Sequence, residues 1–240
     1  MQSPKISVII PTLNEEKYLR KTIDNVFLSA QNPNCLEVLV VDAGSTDHTL
    51  QTIEEMNVQT FLKPEFALKK YESLNYGMAQ AKADVLIFLD ADSILPKGFD
   101  EMILDKLSSR GTVGGAFDLV FDLSDWRLSV ILALNRIRYR LGHLFYGDQA
   151  VFCRKTVAEA IGGFPEKELM ESAFFCKKLK SKGRLKLIRK PIETSARRFN
   201  ENGFFKVFWF DVTMWIRFVL NLPLDTYGKK YWGWNLKPNG

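Results

Sequence analysis

Apolar and polar positions repeat at two different periods along the first half of this chain. The runs KISVII (5–10), CLEVLVV (35–41) and VLIFLDADS (85–93) have the length and β-branched content of buried strands, and VQTFL (58–62) reads as a shorter one. Between them apolar residues recur at three- and four-residue spacing. EEKYLRKTIDNVFLSA (15–30) puts Leu19, Ile23, Val26 and Phe27 on one helical face. Helices are also expected over TLQTIEEM (49–56), capped by Ser45 or Thr46, over 67–82, and over KGFDEMILDKLSS (97–109). Apolar strands alternating with helices make parallel βαβ units, whose ligands sit beyond the carboxyl ends of the strands. Pro11–Glu15, Asp42–Asp47 and Asp90–Asp92 all fall at that edge and are expected to line one crevice.

After residue 112 the pattern loosens. TVGGAFDLVFDL (112–123) reads as a strand, and 126–146 as a helix with Val130, Leu134, Ile137 and Leu141 in line. The stretch from Gly147 to Gly183 reads as loop, strand, helix, loop, helix, and RLKLI (184–188) as one more strand. GFFKVFWFDVTMWIRFVLNLPL (203–224) holds seven aromatics between Phe204 and Phe218, with Phe205, Trp209, Val212, Ile216 and Val219 at helical spacing. Lys206, Asp211 and Arg217 would each cost roughly 2.5–3.5 kcal/mol at the centre of a membrane helix, which argues against a span. Three readings remain for this helix: peripheral contact with an anionic membrane, packing over the sheet, or a homodimer contact. YGKKYWGWN (227–235) continues the aromatic and basic theme.

Composition changes this picture little. At 240 residues, with 46% apolar and 25% charged residues, the chain fits one ordinary globular core. The apolar run before Pro11 is too short for a signal peptide. Cys35, Cys153 and Cys176 are odd in number and widely spaced, as expected of reduced thiols in a cytoplasmic protein. Charge adds more. Residues 1–125 carry 11 Lys+Arg against 19 Asp+Glu, net −8; residues 126–240 carry 22 against 9, net +13. Such a basic half suits phosphate or anionic lipid; no nucleic-acid-binding module accompanies it.

Two carboxylates one residue apart, Asp90 and Asp92, repel each other at a strand end unless water, hydrogen bonds or a cation intervenes. Magnesium and manganese commonly bridge a carboxylate to substrate phosphates. PTLNEE after the first strand and VVDAGSTDHT after the second supply companions. Neither carries the glycine fingerprint of a nicotinamide dehydrogenase or the glycine-rich phosphate loop of a sugar-phosphate nucleotidyltransferase.

From Ile6 to about Phe199 the sequence resembles the inverting glycosyltransferases of family 2, through SVIIPTLNEE, VLVVDAGSTDHT, LNYGMAQAKADVLIFLDADS and GDQAVFCRKTVAEAIGGFPEKELME. Followed by TSARRF, the last is similar to a bacterial subgroup of small single-domain members. The resemblance implies an α/β protein of GT-A fold, a mostly parallel twisted sheet flanked by helices. Residues 1–200 would form that domain, 1–95 its nucleotide-sugar half and 96–200 its acceptor side, with 201–240 a helical extension. It further implies a UDP- or GDP-linked sugar donor. Pro11, Thr12, Asn14 and Glu15 would line the nucleotide pocket, Asp42 would meet the base, Asp90 the ribose, and Asp92, with Asp90, would hold Mg²⁺ or Mn²⁺. Arg197 and Arg198 would add positive charge at the diphosphate, the alternative being a surface salt-bridged pair. Of Lys69, Lys70 and Asn75, which precede the acidic strand, only Asn75 is taken as a donor contact.

Inversion needs a general base at the acceptor hydroxyl. Family members usually draw an aspartate from a Glu-Asp pair in the segment matching LMESAFF, but here the pair is Glu171–Ser172. Glu171 is the expected base and Asp148 of GDQ the alternative. A sugar-nucleotide-binding protein without turnover is the competing reading. The acceptor is open, a lipid-linked or amphiphilic molecule at the inner face of a membrane being the expectation that the basic aromatic half favours.

Overall fold

The structure is a computed structural model that describes residues 4–142, 145–224 and 227–228. Its centre is an eight-stranded sheet of order β3-β2-β1-β4-β7-β6-β8-β5. The apolar runs form β1 (Ile6–Thr12), β2 (Leu36–Asp42), β3 (Gln59–Leu62) and β4 (Val85–Phe88), all mutually parallel. β5 (Ser93–Ile94), β6 (Thr112–Phe121), β7 (Phe152–Arg154) and β8 (Arg184–Thr194) complete it. The short β7 runs against β4 and β6, and the two-residue β5 runs against β8, while β6 and β8 are parallel. The sheet is therefore mixed, with six of its eight strands pointing one way.

Helices cover both faces. α1 (Leu19–Ser29) buries Leu19, Thr22, Ile23 and Val26, the face its spacing predicts. With α3 (Phe99–Ser108) it closes one apolar cluster, in which Val8 and Ile10 of β1 join Ile23 and Phe99. α2 (Lys70–Gln80) lies on the opposite face, where Ile9, Leu39 and Leu86 meet Leu74 and, from α6 (Glu171–Lys180), Phe175 and Cys176. Gly77 permits that approach: a β-carbon there would stand 2.5 Å from Ile9 Cγ2.

Several boundaries differ from the sequence reading. The helix expected over 49–56 is only a 3₁₀ turn, Gln51–Ile53, because Ser45 caps no helix and instead donates to Asp42. The helix expected to reach residue 146 is α4 (Trp126–Gly142). The strand expected at 184–188 runs on to Thr194 through a register shift between Phe117 and Asp118, opposite which β8 carries two extra residues before Pro191. β8 pairs with β5 only at Glu193 and Thr194, so most of its outer edge meets no strand, which explains its many charged positions.

α5 (Lys155–Ala160), α7 (Arg197–Asn202) and α8 (Phe204–Val219) complete the α-helices among the described residues. α8 is integrated with the body. Val207 packs with Leu128, Ala196 and Phe199, and Phe210 and Met214 pack with Leu169. The segment 227–235 lies outside the described residues beyond position 228. Among the described residues no helix is long and apolar enough to cross a membrane.

Candidate active site

The carboxyl ends of β1, β2 and β4 open into one cleft of about 1430 Å³. Its floor is built by hydrogen bonds between loops. Asn14 adopts φ 57°, a left-handed conformation that asparagine tolerates, and its Oδ1 accepts from the Thr46 amide at 2.8 Å. The Asn14 amide donates to Ser45 Oγ, and that of Glu15 to Thr49 Oγ1, each at 2.8 Å. The loops after β1 and β2 are thus tied into one unit. Asp42 organises the second. Fully buried, it accepts from the Gly44 and Ser45 amides at 2.9 and 2.8 Å and from Ser45 Oγ at 2.6 Å.

The loop bearing Asp90 and Asp92 is pinned from beneath by α1. Thr22 Oγ1 donates to the Ala91 carbonyl at 2.7 Å, and Leu95 N–H donates to Asn25 Oδ1 at 2.7 Å. From there β5 pairs Ser93 with Thr194 at the end of β8. That pairing carries the start of α7 to the acids. Arg197 grips Glu15 through two hydrogen bonds, of 2.7 and 2.5 Å, its Nε stands 3.4 Å from Asp92 Oδ2, and its guanidinium lies over the Tyr18 ring. Lys70, at the start of α2, pairs with Asp90 at 2.5 Å.

Burial dominates the electrostatics. It pushes the Asp92 carboxyl up to about 7, against the pull of Arg197 and with the help of neighbouring Asp90 and Glu15. Burial also raises Glu15, although Arg197 opposes it. Glu171 opens α6 just after Met170, which adopts φ 62°; burial raises it too, opposed first by Lys70. Ser172 Oγ donates to Glu171 Oε1 at 3.2 Å. A β-carbon at Gly147 would meet Lys70 Nζ at 3.2 Å, Ser172 Oγ at 3.3 Å and Asp90 Oδ2 at 3.6 Å, so these groups converge tightly around position 147. The neighbouring Asp148 sits on a 3₁₀ turn, Gly147–Gln149, anchored by buried Gln149, which donates to the Phe117 carbonyl.

Pro11, Thr12, Asn14, Glu15, Asp90, Asp92, Asp148, Glu171, Arg197 and Arg198 therefore share the cleft. Thr12 Oγ1 is buried there with no hydrogen-bond partner among the described residues. Two of the expected donor contacts, Asp42 and Asn75, lie outside the cleft lining, and a third, Arg198, is engaged by another side chain within it. Asp42 lies under the floor, spent on its own loop. Asn75 is moved out of the cleft lining, because its amide donates to the Phe164 carbonyl at 2.9 Å and accepts from the Phe164 N–H at 2.8 Å. Arg198 turns toward α8 and pairs with Asp211. Lys70, set aside in favour of Asn75 on sequence, lines the cleft instead: nothing local to it announces that it will face an acid twenty positions later.

Asp90 and Asp92 offer hard oxygen ligands, and the cations now facing Asp90, Asp92 and Glu15 are the side chains of Lys70 and Arg197. Among the described residues no group of three or more His, Cys, Asp or Glu is gathered as a cation cage. The donor set fits a divalent ion that takes its other ligands from phosphates and water.

A mixed sheet with helices on both faces and an acidic cleft at its carboxyl edge defines an α/β protein of GT-A type. The sequence model of the family described as "Glycosyl transferase family 2" matches residues 7–160, and the chain belongs to that family. It is 33% identical over 114 residues to an uncharacterized glycosyltransferase of Nostoc sp., a match covering 46% of this chain and 35% of that protein. It is 30% identical over 108 residues to the GalNAc(5)-diNAcBac-PP-undecaprenol beta-1,3-glucosyltransferase of Campylobacter jejuni, covering 43% of this chain and 34% of that one. These matches span only about a third of each relative's length. Among solved structures, a mannosyltransferase from Pyrobaculum calidifontis in complex with GDP-Man and Mn²⁺ superposes with a TM-score of 0.65 at 22% identity, over 80% of this chain and 57% of that one.

Proposed function

We propose that this chain is an inverting, metal-dependent glycosyltransferase that moves a sugar from a UDP- or GDP-linked donor to an acceptor hydroxyl. The observation that carries the reading is the convergence of Glu15, Asp90 and Asp92 with Arg197 and Lys70 in one cleft, with Glu171 opening into the same space. Asp92 and Asp90 are the residues that would hold Mg²⁺ or Mn²⁺, and the ion, when bound, offsets charge on the departing diphosphate. Lys70 and Arg197, which stand beside these acids, would supply positive charge to the diphosphate, since guanidinium pairs well with phosphate oxygens. Glu171 accepts the acceptor's proton as the acceptor oxygen bonds to the anomeric carbon. The sugar–phosphate bond breaks in the same step, its electron pair leaving with the nucleoside diphosphate. Burial raises the proton affinity of Glu171, which suits a base working near neutral pH.

The far wall of the cleft is apolar, with Ile131, Leu134, Phe208, Trp209 and Trp215 among its side chains. This supports an amphiphilic acceptor, as does the undecaprenol named for the Campylobacter relative. Free cysteines at 35, 153 and 176 support a cytoplasmic setting. Ser172, standing where the family usually has its catalytic aspartate, favours a second reading, a nucleotide-sugar-binding protein without turnover.

Thermal unfolding with UDP or GDP, with and without Mn²⁺, tests the donor reading. A nucleotide at a hundred times its dissociation constant stabilises by about 2.7 kcal/mol. Asp92→Ala should abolish the increment due to Mn²⁺; an undiminished increment overturns the metal assignment. Metal-dependent hydrolysis of the donor separates the enzyme from the binding protein.

A further inference from the structure

Twelve of the fifteen exposed large apolar side chains among the described residues lie in two stretches, 123–137 and 205–222. The second is α8 with the residues just beyond it. Only four of the sixteen residues of α8, Lys206, Asp211, Thr213 and Arg217, are polar, and apolar side chains stand on its outer as well as its inner face. Val207, Phe210, Met214 and Phe218 are buried against the body, while Phe208, Val212 and Trp215 line the cleft. Phe205, Ile216 and Leu220 turn to solvent, 68%, 44% and 61% exposed. A surface helix ordinarily turns a polar face to water, so this outer face calls for a non-aqueous neighbour. α4 adds a second stripe at helical spacing, Trp126, Val130, Leu134 and Ile137, and its start packs against α8 through Leu128 and Val207.

Basic groups surround this surface. Lys206 is exposed near the start of α8 and Arg217 stands in its last turn. Arg127 of α4, itself paired with Asp125, lies 5.2 Å from the Phe204 ring centroid, and Lys177 of α6 lies 6.0 Å from that of Phe218. The single acid on α8, Asp211, is paired with Arg198. Aromatic and aliphatic side chains bordered by Lys and Arg match the boundary between anionic headgroups and acyl chains. A second copy of the chain fits less well, because apposing two halves of net charge +13 brings like charges together.

We propose that the outer face of α8, extended by the exposed stripe of α4, docks on an anionic membrane surface. Trp209 lines the cleft and is also 63% exposed, so it belongs both to the apolar wall of the cleft and to the exposed apolar surface. An acceptor whose tail stays in the bilayer reaches the cleft along that wall. This route rests on the transfer reading above; the docking does not.

Flotation of the full chain with vesicles tests the docking without donor, metal or acceptor, so its outcome is independent of whether transfer occurs. The chain should float with phosphatidylcholine mixed with phosphatidylglycerol, stay behind with phosphatidylcholine alone, and be released as salt screens the headgroups. Combining Phe205→Ser, Ile216→Ser and Leu220→Ser should lower partitioning about tenfold or more. None of the three residues lines the cleft, and an unchanged thermal midpoint certifies that the variant is folded; if it unfolds, Phe205→Ser alone serves, with a smaller loss expected. Three results overturn the proposal: no flotation with either vesicle, equal flotation with both, or a concentration-dependent dimer, abolished by these substitutions, in a chain that ignores vesicles.

Discussion

The two halves of the sheet build their shares of the site by different means. From β1 to β4 the strands are parallel and buried, and their carboxyl ends deliver Glu15, Asp90 and Asp92 on loops pinned by Thr22, Asn25 and Asn14. From β5 onward the directions alternate, β5 and β7 running against the other six strands. This half delivers Arg197, Asp148 and Glu171 from short helices and a 3₁₀ turn, and α4 and α8 add an aromatic wall. Sequence charge, −8 against +13, looks at first like an invitation to a polyanion. Part of it is internal: the acids of the first half meet Arg197 of the second across the cleft. On the proposed function, the regular half would supply the donor-side acids, and the irregular half the candidate base Glu171 together with Arg197.

The largest break in that division is Glu171→Gln. Loss of a general base should lower transfer by about 10²-fold to 10⁴-fold, while nucleotide-induced stabilisation stays unchanged, since the donor loops are untouched. Because burial raises Glu171, the acid limb of the rate profile should lie above the ordinary glutamate range, the rate falling as pH drops through it. Steady-state kinetics of the variant decide the matter. If transfer survives within tenfold, the proton goes elsewhere, and Asp148→Asn becomes the variant that should show the loss.

Asn75→Ala probes a residue that joins the halves. Its amide ties helix α2 to the buried Phe164, whose ring stacks on Phe175 of α6 at 4.0 Å. Removing it strands a buried N–H and C=O, at a cost of about 1–3 kcal/mol. The urea midpoint should fall accordingly while UDP or GDP affinity stays within about threefold. A large loss of affinity at unchanged stability would return Asn75 to the donor pocket.

How much of this was legible in the sequence follows the same division. β1, β2 and β4 declare themselves because strands buried on both faces need unbroken apolar runs, and the acids after them stand at a known edge. β8 does not: it is paired fully on one side only, so RKPIET can be polar and still be strand. α7 has six residues, too few for a period. Lys70 and Arg197 were the hardest to read, since each meets its acid through sheet topology rather than spacing. Arg197 reaches Glu15 across 182 positions only because β5 pairs with the end of β8. The Glu171–Ser172 departure, by contrast, was visible as a plain mismatch.

A smaller effect tests the strain stored among the donor-side acids. Without metal, folded Asp92 holds its proton up to about 7, whereas the unfolded chain releases it near 4. The folded state binds the extra proton between those values, so the contribution of Asp92 to stability is fully present below about 4 and is lost as pH rises through about 7. Asp92→Asn removes the charge. In chelator it should stabilise the chain by on the order of 2 kcal/mol at pH 8, and by less as pH falls toward 4. Unfolding midpoints at two pH values measure the difference, and a pH-independent gap would mean that Asp92 is not the group under strain.

The smallest effect separates two adjacent arginines that the sequence presents as a pair. Arg197 is held between Glu15 and Asp92 in the acidic floor; Arg198, one residue on, lines the same cleft but pairs with Asp211 on α8. The Asp211 carboxylate is 43% exposed, and an ion pair so open to water contributes about 1 kcal/mol or less. Arg198→Ala should therefore lower stability by no more than that and leave nucleotide affinity within a factor of about two, whereas Arg197→Ala should cost far more affinity by removing a phosphate partner. Titration of both variants with the same nucleoside diphosphate makes the contrast direct. Equal losses would mean that α7 presents both guanidiniums to the diphosphate, and that the boundary between donor floor and aromatic wall does not run between these two residues.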